Sequence, residues 1–399
     1  MHAFIIILVT LGIIVLLLNR KVKMPYAMLA GSTVLFLLSG PELPKLAAAV
    51  QGTVTGHSTW EIMIALYFVM CLEYQLRTGG IIDGLMTAAR NLLRSDRVLL
   101  AMMPAFLGFL PSLGGAIFSA PLVENASKSY QLLPETKTAI NYWFRHVLEY
   151  TSPIFSGILL ASQISGIALG PLITNMAWLS VLAITLGWLF LIMPIRGGDN
   201  TAPPVTTDSR SSNRFLLLAA GPIFLNIAFI VLGHWPASLS MMVVVGIMTF
   251  VIRQKPPQIT SMLRHALDGK LLWGIASIMF FQHILRQSGL VSEAALILKD
   301  MAIPPTVVIG VIAFTGGLLT GTSQGFVAIA FPFIDAFSHA DLTLAMIAFA
   351  LGTAGQMLSP AHLCLLVTLD YFKADFFKSL RPVLAMNIIM IVAAYAMSM

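Results

Sequence analysis

PSLGGAIFSAP, Pro111 to Pro121, recurs as TSQGFVAIAFP, Thr322 to Pro332, roughly 210 residues further on. Without a gap, Ser112 lies over Ser323, Gly114 over Gly325 and Pro121 over Pro332. The register extends outward at nearly the same offset. Glu124 falls on Asp335, Arg77 of LRTGG on Arg286 of LRQSG, Ser152-Pro153 on Ser359-Pro360, and Pro25 on Pro236. Two halves built alike, each with a glycine-rich break inside apolar sequence, predict an all-α polytopic membrane protein made from internal repeats.

Composition agrees. Of 399 residues 58% are hydrophobic and only 10% charged, with a mean hydropathy of +0.88. A soluble domain of this size needs a more polar surface, so most of the chain must face lipid or other helices. It has room for about ten spans at ~20 residues each. The net charge of +6 calls for no nucleic-acid partner, because the bases sit in loops beside apolar runs. Cys71 and Cys364 lie apart in apolar runs with no CxxC and no His cluster, which argues against a disulfide or metal framework. No basic region precedes the apolar run Ala3–Leu18 and no small-residue cleavage site follows it, so it reads as a retained first span.

Taken in order, the first repeat is expected over residues 1–195. Scaffold spans at Ala3–Leu18, Pro25–Leu38 and Trp60–Leu76 (together 3–76) are separated by a loop carrying Pro41, Pro44 and Lys45. A re-entrant hairpin follows over 98–128, since Val98–Leu110 is too short to span. Then come a helix over 137–166 broken at Thr151-Ser152-Pro153 and a span over 171–193. The polar segment 196–213 reads as a cytoplasmic linker. The second repeat, 214–399, brings scaffold spans within 215–285, a hairpin over 304–337, a helix over 342–369 broken at Ser359-Pro360, and a span over 382–397.

Basic residues set the threading. With Arg20, Lys21 and Lys23 in the cytoplasm, nearly every other Lys and Arg falls on the same side, and only Lys45, Arg286 and Lys299 lie clearly outside. The first hairpin then enters from the cytoplasm and the second from outside. Thus the repeats are inverted, each has an odd number of full spans, and both termini lie on the outer side.

An open backbone group in a bilayer costs several kcal/mol unless something satisfies it. A single Pro would only kink a helix, but four breaks in register call for a common cause. The expectation is that they meet near the midplane. Helix N-termini at the tips (Ser112, Leu113, Gly114, Gly115; Thr322, Ser323, Gln324, Gly325) then face a small anionic substrate. Hydroxyls and freed carbonyls at Thr151, Ser152 and Ser359 join them. Glu149 and Gln356, one before each break, suit an ion-coupling position with Ser152 and Ser359. Arg145, four residues before Glu149, either balances it or faces the anion. His146 and His362 flank the breaks and suit a proton relay, although a lone membrane His is ordinarily a helix–helix hydrogen bond. Glu124 and Asp335, about 14–15 Å behind the tips at ~1.5 Å per residue, suit structural or gating roles. Gln282 and His283 read as packing residues.

Other classes are weighed by the same residues. Gly321-Thr322-Ser323-Gln324-Gly325 spells GxSxG, as in a serine hydrolase using Ser323, but apolar helical sequence stands where the elbow needs a strand. A channel or a membrane subunit of a multi-component importer would use the same breaks. No HExxH, Walker loop or GxGxxG occurs, so no enzyme, cofactor or metal is expected; sodium or a proton would be the coupling ion.

The order of elements resembles the ion transporter superfamily, which includes divalent-anion/sodium symporters, citrate and gluconate permeases and the membrane subunits of TRAP transporters. GGAIFSAPLVENA and INYWFRHVLEY look like a branch of it described only as a domain of unknown function. Better-studied members carry Ser-Asn-Thr at each tip and break. Here the serines carry over (Ser112, Ser323, Ser152, Ser359) and the Asn and Thr do not. The resemblance implies an inner-membrane symporter and a homodimer. It also implies a scaffold of Ala3–Leu76 and Phe215–Leu285 and elevator-type movement of the remaining elements.

Overall fold

Apolar runs of this length leave the backbone no partner but itself, and the chain answers with helices; no strand occurs among the described residues. The computed structural model describes residues 2–20, 22–81, 84–85, 88, 95–108, 115–196, 209–267, 269–300 and 303–399. In the first half α1 (His2–Asn19), α2 (Met24–Leu38), α3 (Leu43–Thr55) and α4 (His57–Thr78) precede α5 (Asp96–Gly108) and α6 (Gly115–Ala126). They are followed by α7 (Pro134–His146), α8 (Ser156–Ser165) and α9 (Leu169–Gly187), which runs on into a π turn over Trp188–Ile192. The second half begins with α10 (Ser209–Val231), α11 (Ala237–Val251), α12 (Pro256–Ala266), α13 (Gly269–Ser288) and α14 (Leu290–Asp300). It continues with α15 (Pro305–Thr320), α16 (Ser323–Phe337), α17 (Leu342–Leu358), α18 (Leu363–Phe372) and α19 (Phe376–Ser398). Leu169–Ile192, Asn213–Val231, Leu342–Phe372 and Phe376–Ser398 are long and apolar enough to cross a membrane.

The packing is reciprocal between halves. Helix α2 lies against α13 and α11 against α4; α3 lies against α13 and α12 against α4; α9 packs on α17 and α19 on α7. Polar side chains fix the direction of one such pair. Glu61, near the start of α4, accepts from the Ser238 amide (3.0 Å) and hydroxyl at the start of α11. Gln75, near the end of α4, donates to the Val245 carbonyl at 3.2 Å, to Thr249 at 2.8 Å and to Gln254 at 3.0 Å, around the end of α11. Start meets start and end meets end, so α4 and α11 run parallel.

Helix α17 is buried along almost its whole length, and small residues let it be. A Cβ on Gly355 would come within 2.0 Å of the Phe314 carbonyl oxygen, and one on Gly317 within 2.1 Å of the Gly352 oxygen. Backbones of α15 and α17 therefore touch directly.

Several boundaries differ from expectation. The Pro41–Lys45 loop runs straight into α3, because Pro44 occupies a first-turn position where its missing N–H costs nothing. Helices α12 and α14 are likewise additional to the expected spans. Four further bounds shift. Helix α10 begins at Ser209, inside the expected linker. Helix α7 begins at Pro134, three residues before the expected 137. Its break opens at Val147, well before Thr151. Helix α19 begins at Phe376 with Asp375 capping it (Lys378 N–H, 2.8 Å), and it accommodates Pro382 within.

Candidate functional site

Each break is made locally. Pro153 has no amide hydrogen to donate and disfavours a helical Ser152, and between α7 and α8 tighter turns replace the helical ladder. The Glu149 amide donates to the His146 carbonyl at 3.2 Å, Thr151 to Leu148 at 3.1 Å and Phe155 to Ser152 at 3.1 Å. Between α17 and α18, Pro360 acts alike: the Ser359 amide reaches the Gln356 carbonyl at 3.1 Å, and the Ser359 hydroxyl accepts from the Ala361 amide at 3.1 Å. At the second tip Gly321 ends α15 in the left-handed region (φ +63°). Thr322 then caps α16 by accepting from the Gly325 amide at 3.2 Å.

These places come together. A Cβ on Gly321 would fall 2.9 Å from the Ala361 carbonyl carbon and the His362 nitrogen, so the second tip rests on the second break. Gln324 donates to the Ser156 hydroxyl at 2.6 Å, and a Cβ on Gly157 would fall 2.7 Å from the Ser323 side chain. The second tip thus also touches the N-terminus of α8 beyond the first break. The two breaks are joined by Gln356 donating to Glu149 at 3.3 Å, by the Tyr142 hydroxyl donating to the Met357 carbonyl at 3.0 Å, and by His146 Nε2 lying 3.0 Å from His362 Nε2. Asn141 donates to Thr368 at 3.1 Å beside them.

Ser112, Leu113 and Gly114 lie outside the described residues, and Gly115 is the first residue of α6. The arm leading to that tip does reach the first break, since a Cβ on Gly108 would fall 2.1 Å from the Arg145 carbonyl oxygen. Arg145 donates to the Leu107 carbonyl at 3.0 Å, placing its charge at the C-terminal end of α5. Thr151 pairs with Ser180 of α9 at 3.0 Å. The Ser152 hydroxyl and Gln356 Oε1 are buried with no hydrogen-bond partner. Ser323 donates to Gln324 at 3.3 Å. Gly325 lies against Thr320. Away from the cluster, Glu124 pairs with Lys137 at 2.9 Å, and Asp335 with His339 at 2.5 Å and Arg286 at 3.7 Å. Gln282 donates to the Ile164 carbonyl at 3.3 Å. A cleft of about 330 Å³ between α4, α10, α11 and α12, lined by Tyr74, Arg214 and Gln254 among others, is remote from all of this.

Ser156, Tyr142 and Cys364 join the cluster without being expected there from the sequence. A serine three residues after Pro153 is an ordinary helix-start signal and was available; the other two carry none. No local motif joins His146, His362 and Cys364 in the sequence, yet the fold brings their ligand atoms within 4.8 Å of one another. Two nitrogens bound at ~2.0–2.1 Å to one tetrahedral ion stand ~3.3 Å apart. The 3.0 Å seen here is the length of an N–H···N hydrogen bond instead.

The second hairpin tip seated on the broken helices, inside a bundle of apolar helices, defines an all-helical fold with segments long and apolar enough to cross a membrane. A crystal structure of the Alcanivorax borkumensis YdaH transporter, reported to have an unusual topology, shares it at a TM-score of 0.62. The two chains are 14% identical, and the match covers 89% of this chain and 87% of that one. No sequence among curated proteins matches. The chain itself belongs to the family described as Protein of unknown function (DUF401), whose model matches residues 2–398.

Proposed function

We propose that this protein is a secondary active transporter that carries a small organic anion across the inner membrane, driven by a sodium or proton gradient. One observation carries the reading: the second tip, both breaks and the arm of the first hairpin converge on one place. Three helix N-termini, of α8, α16 and α18, meet there, and each brings the positive end of a helix dipole. Beside them stand a carboxylate, Glu149, and two buried oxygens without partners, Ser152 Oγ and Gln356 Oε1, a donor set suited to a cation. Parallel packing of α4 and α11 supports inverted threading. The second scaffold helix of one half can run parallel to the third of the other only if the halves enter the bilayer oppositely. Outer-side termini, a homodimer and elevator movement of the hairpins and broken helices over the scaffold complete the proposal, and the named likeness to a transporter is consistent with it.

A hydrolase using Ser323 fits less well. Both ring nitrogens of His362 are engaged, by the Gly321 carbonyl at 2.7 Å and by His146, so neither is placed to take a proton from Ser323. The test is a thermal-shift screen of carboxylates with and without sodium, followed by uptake into proteoliposomes. A bound anion raises stability by mass action, and Ser323→Ala and Glu149→Gln should each abolish uptake. Undiminished uptake by both variants would remove the site.

A further inference from the structure

The contact between His146 and His362 cannot be made by two neutral rings in the tautomers their surroundings impose. His146 Nδ1 lies 2.6 Å from the carbonyl oxygen of Tyr142, and His362 Nδ1 lies 2.7 Å from that of Gly321. A carbonyl oxygen only accepts, so each Nδ1 must carry its hydrogen. A neutral imidazole with a hydrogen on Nδ1 has a bare lone pair on Nε2. Two bare lone pairs would then face each other at 3.0 Å in a site where both rings are buried. One more positive particle between them turns that repulsion into a hydrogen bond, and the separation is that of N–H···N.

We propose that His146 and His362 hold a single proton between their Nε2 atoms, and that this proton is the coupling ion of the carrier. The proton arrives from water on whichever side the site is open, forms an N–H bond to one Nε2 and a hydrogen bond to the other, and leaves by the reverse path. The surroundings fit a pair of charge +1. Glu149 Oε1 lies 3.7 Å from His146 Nε2, close enough to balance the added proton when the carboxyl is ionised, while Gln356 holds its other oxygen. Arg145 is turned toward the Leu107 carbonyl, and the Cys364 sulfur lies within 4.8 Å of a ring nitrogen of each imidazole. The Tyr142 ring stands 4.9 Å and 5.4 Å from the two imidazoles, with its hydroxyl committed to Met357. No other charged group among the described residues of α7, α17 or the second tip faces the pair.

The consequence is mechanical as well as electrostatic. His146 ends α7, and His362 starts α18 and grips the second tip through Gly321. A proton on the pair therefore clasps the first break to the tip where three helix N-termini meet, and it adds positive charge beside the anion. Loss of the proton leaves two lone pairs that must separate. Anion binding and protonation should each favour the other, as a proton symporter requires.

The inference names the coupling ion of the proposed carrier, yet its test needs no substrate. Histidine-selectively ¹⁵N-labelled protein in lipid nanodiscs is titrated, with His146→Gln and His362→Gln each used to assign the pair; either alone suffices if the other misfolds. The expected result is an Nδ1–H on both rings and a ¹⁵N–¹⁵N coupling across the Nε2 pair at acidic pH. The coupling should disappear at alkaline pH with release of one proton per chain, and neither sodium nor Cys364→Ser should alter it. Absence of the coupling at every pH, a hydrogen on either Nε2 in place of its Nδ1, or a stoichiometric metal ion that Cys364→Ser removes would overturn it. If the coupling is present and no anion is ever transported, it is the carrier reading that fails and not the shared proton.

Discussion

Gly157→Ala tests whether the tip of the second hairpin truly rests on the first broken helix. The new methyl would sit 2.7 Å from both Cβ and Oγ of Ser323 and 2.9 Å from a ring carbon of Phe155. A hydroxyl can rotate away, but a Cβ cannot. Ordinary carbon contact begins near ~3.5 Å, so α8 and α16 must part by about 0.8 Å. Overpacking of this kind costs ~1–3 kcal/mol. Gly246→Ala in α11 is the control, since nothing lies within 4 Å of its Cβ and it gains the helix propensity of alanine, ~1 kcal/mol. Because both substitutions are Gly→Ala within helices, subtracting one from the other isolates the contact. Gly157→Ala should fall below Gly246→Ala by ~1–3 kcal/mol in detergent-unfolding midpoints. It should also weaken carboxylate-induced stabilisation about tenfold, the equivalent of ~1.4 kcal/mol. Equal stability and equal ligand response in the two variants would show that the tip does not touch α8.

Three further outcomes are expected. Gly321→Ala forces an L-residue into a left-handed conformation, φ +63°, against the Ala361 backbone; its strain of at least ~1–2 kcal/mol should lower the melting midpoint and uptake together. Thr322→Ala removes the cap of α16 and should cost ~0.5–2 kcal/mol of stability, with Thr322→Ser recovering most of it. Lys137→Ala breaks a pair with Glu124 whose carboxylate side is 42% exposed and whose lysine side is 17% exposed, so its effect on melting should stay within ~1 kcal/mol and uptake should be unchanged.

The parts of the fold that were legible in sequence are those where chemistry punctuates an apolar run. Gly321, Pro360 and the Ser-Pro pair at Ser152 each interrupt hydrogen bonding where lipid would forbid it, and each marks a real turn. Amphipathic pieces were not legible. In α3 and α12 a first-turn proline reads as a loop, although that is where proline starts a helix. The early end of α7 at His146 was also hidden. Val147, Leu148 and Tyr150 break nothing by themselves, and contacts from the other half, Gln356 to Glu149 and His362 to His146, decide it. Those contacts join residues 207 and 216 positions apart, and no local pattern encodes them. Cys364 illustrates the same limit, because a single thiol in an apolar helix announces nothing until the fold brings two imidazoles to it.

The most direct measurement is a cross-link between Ser156→Cys and Gln324→Cys, in a chain also carrying Cys71→Ala and Cys364→Ser, made in native membrane vesicles. The parent side chains touch at 2.6 Å. The expected result is rapid bridging by a short bifunctional thiol reagent, slowed by any carboxylate that stabilises the protein and accompanied by loss of its uptake. Two thiols that each react readily yet never bridge would contradict the meeting of hairpin tip and broken helix on which the binding site depends.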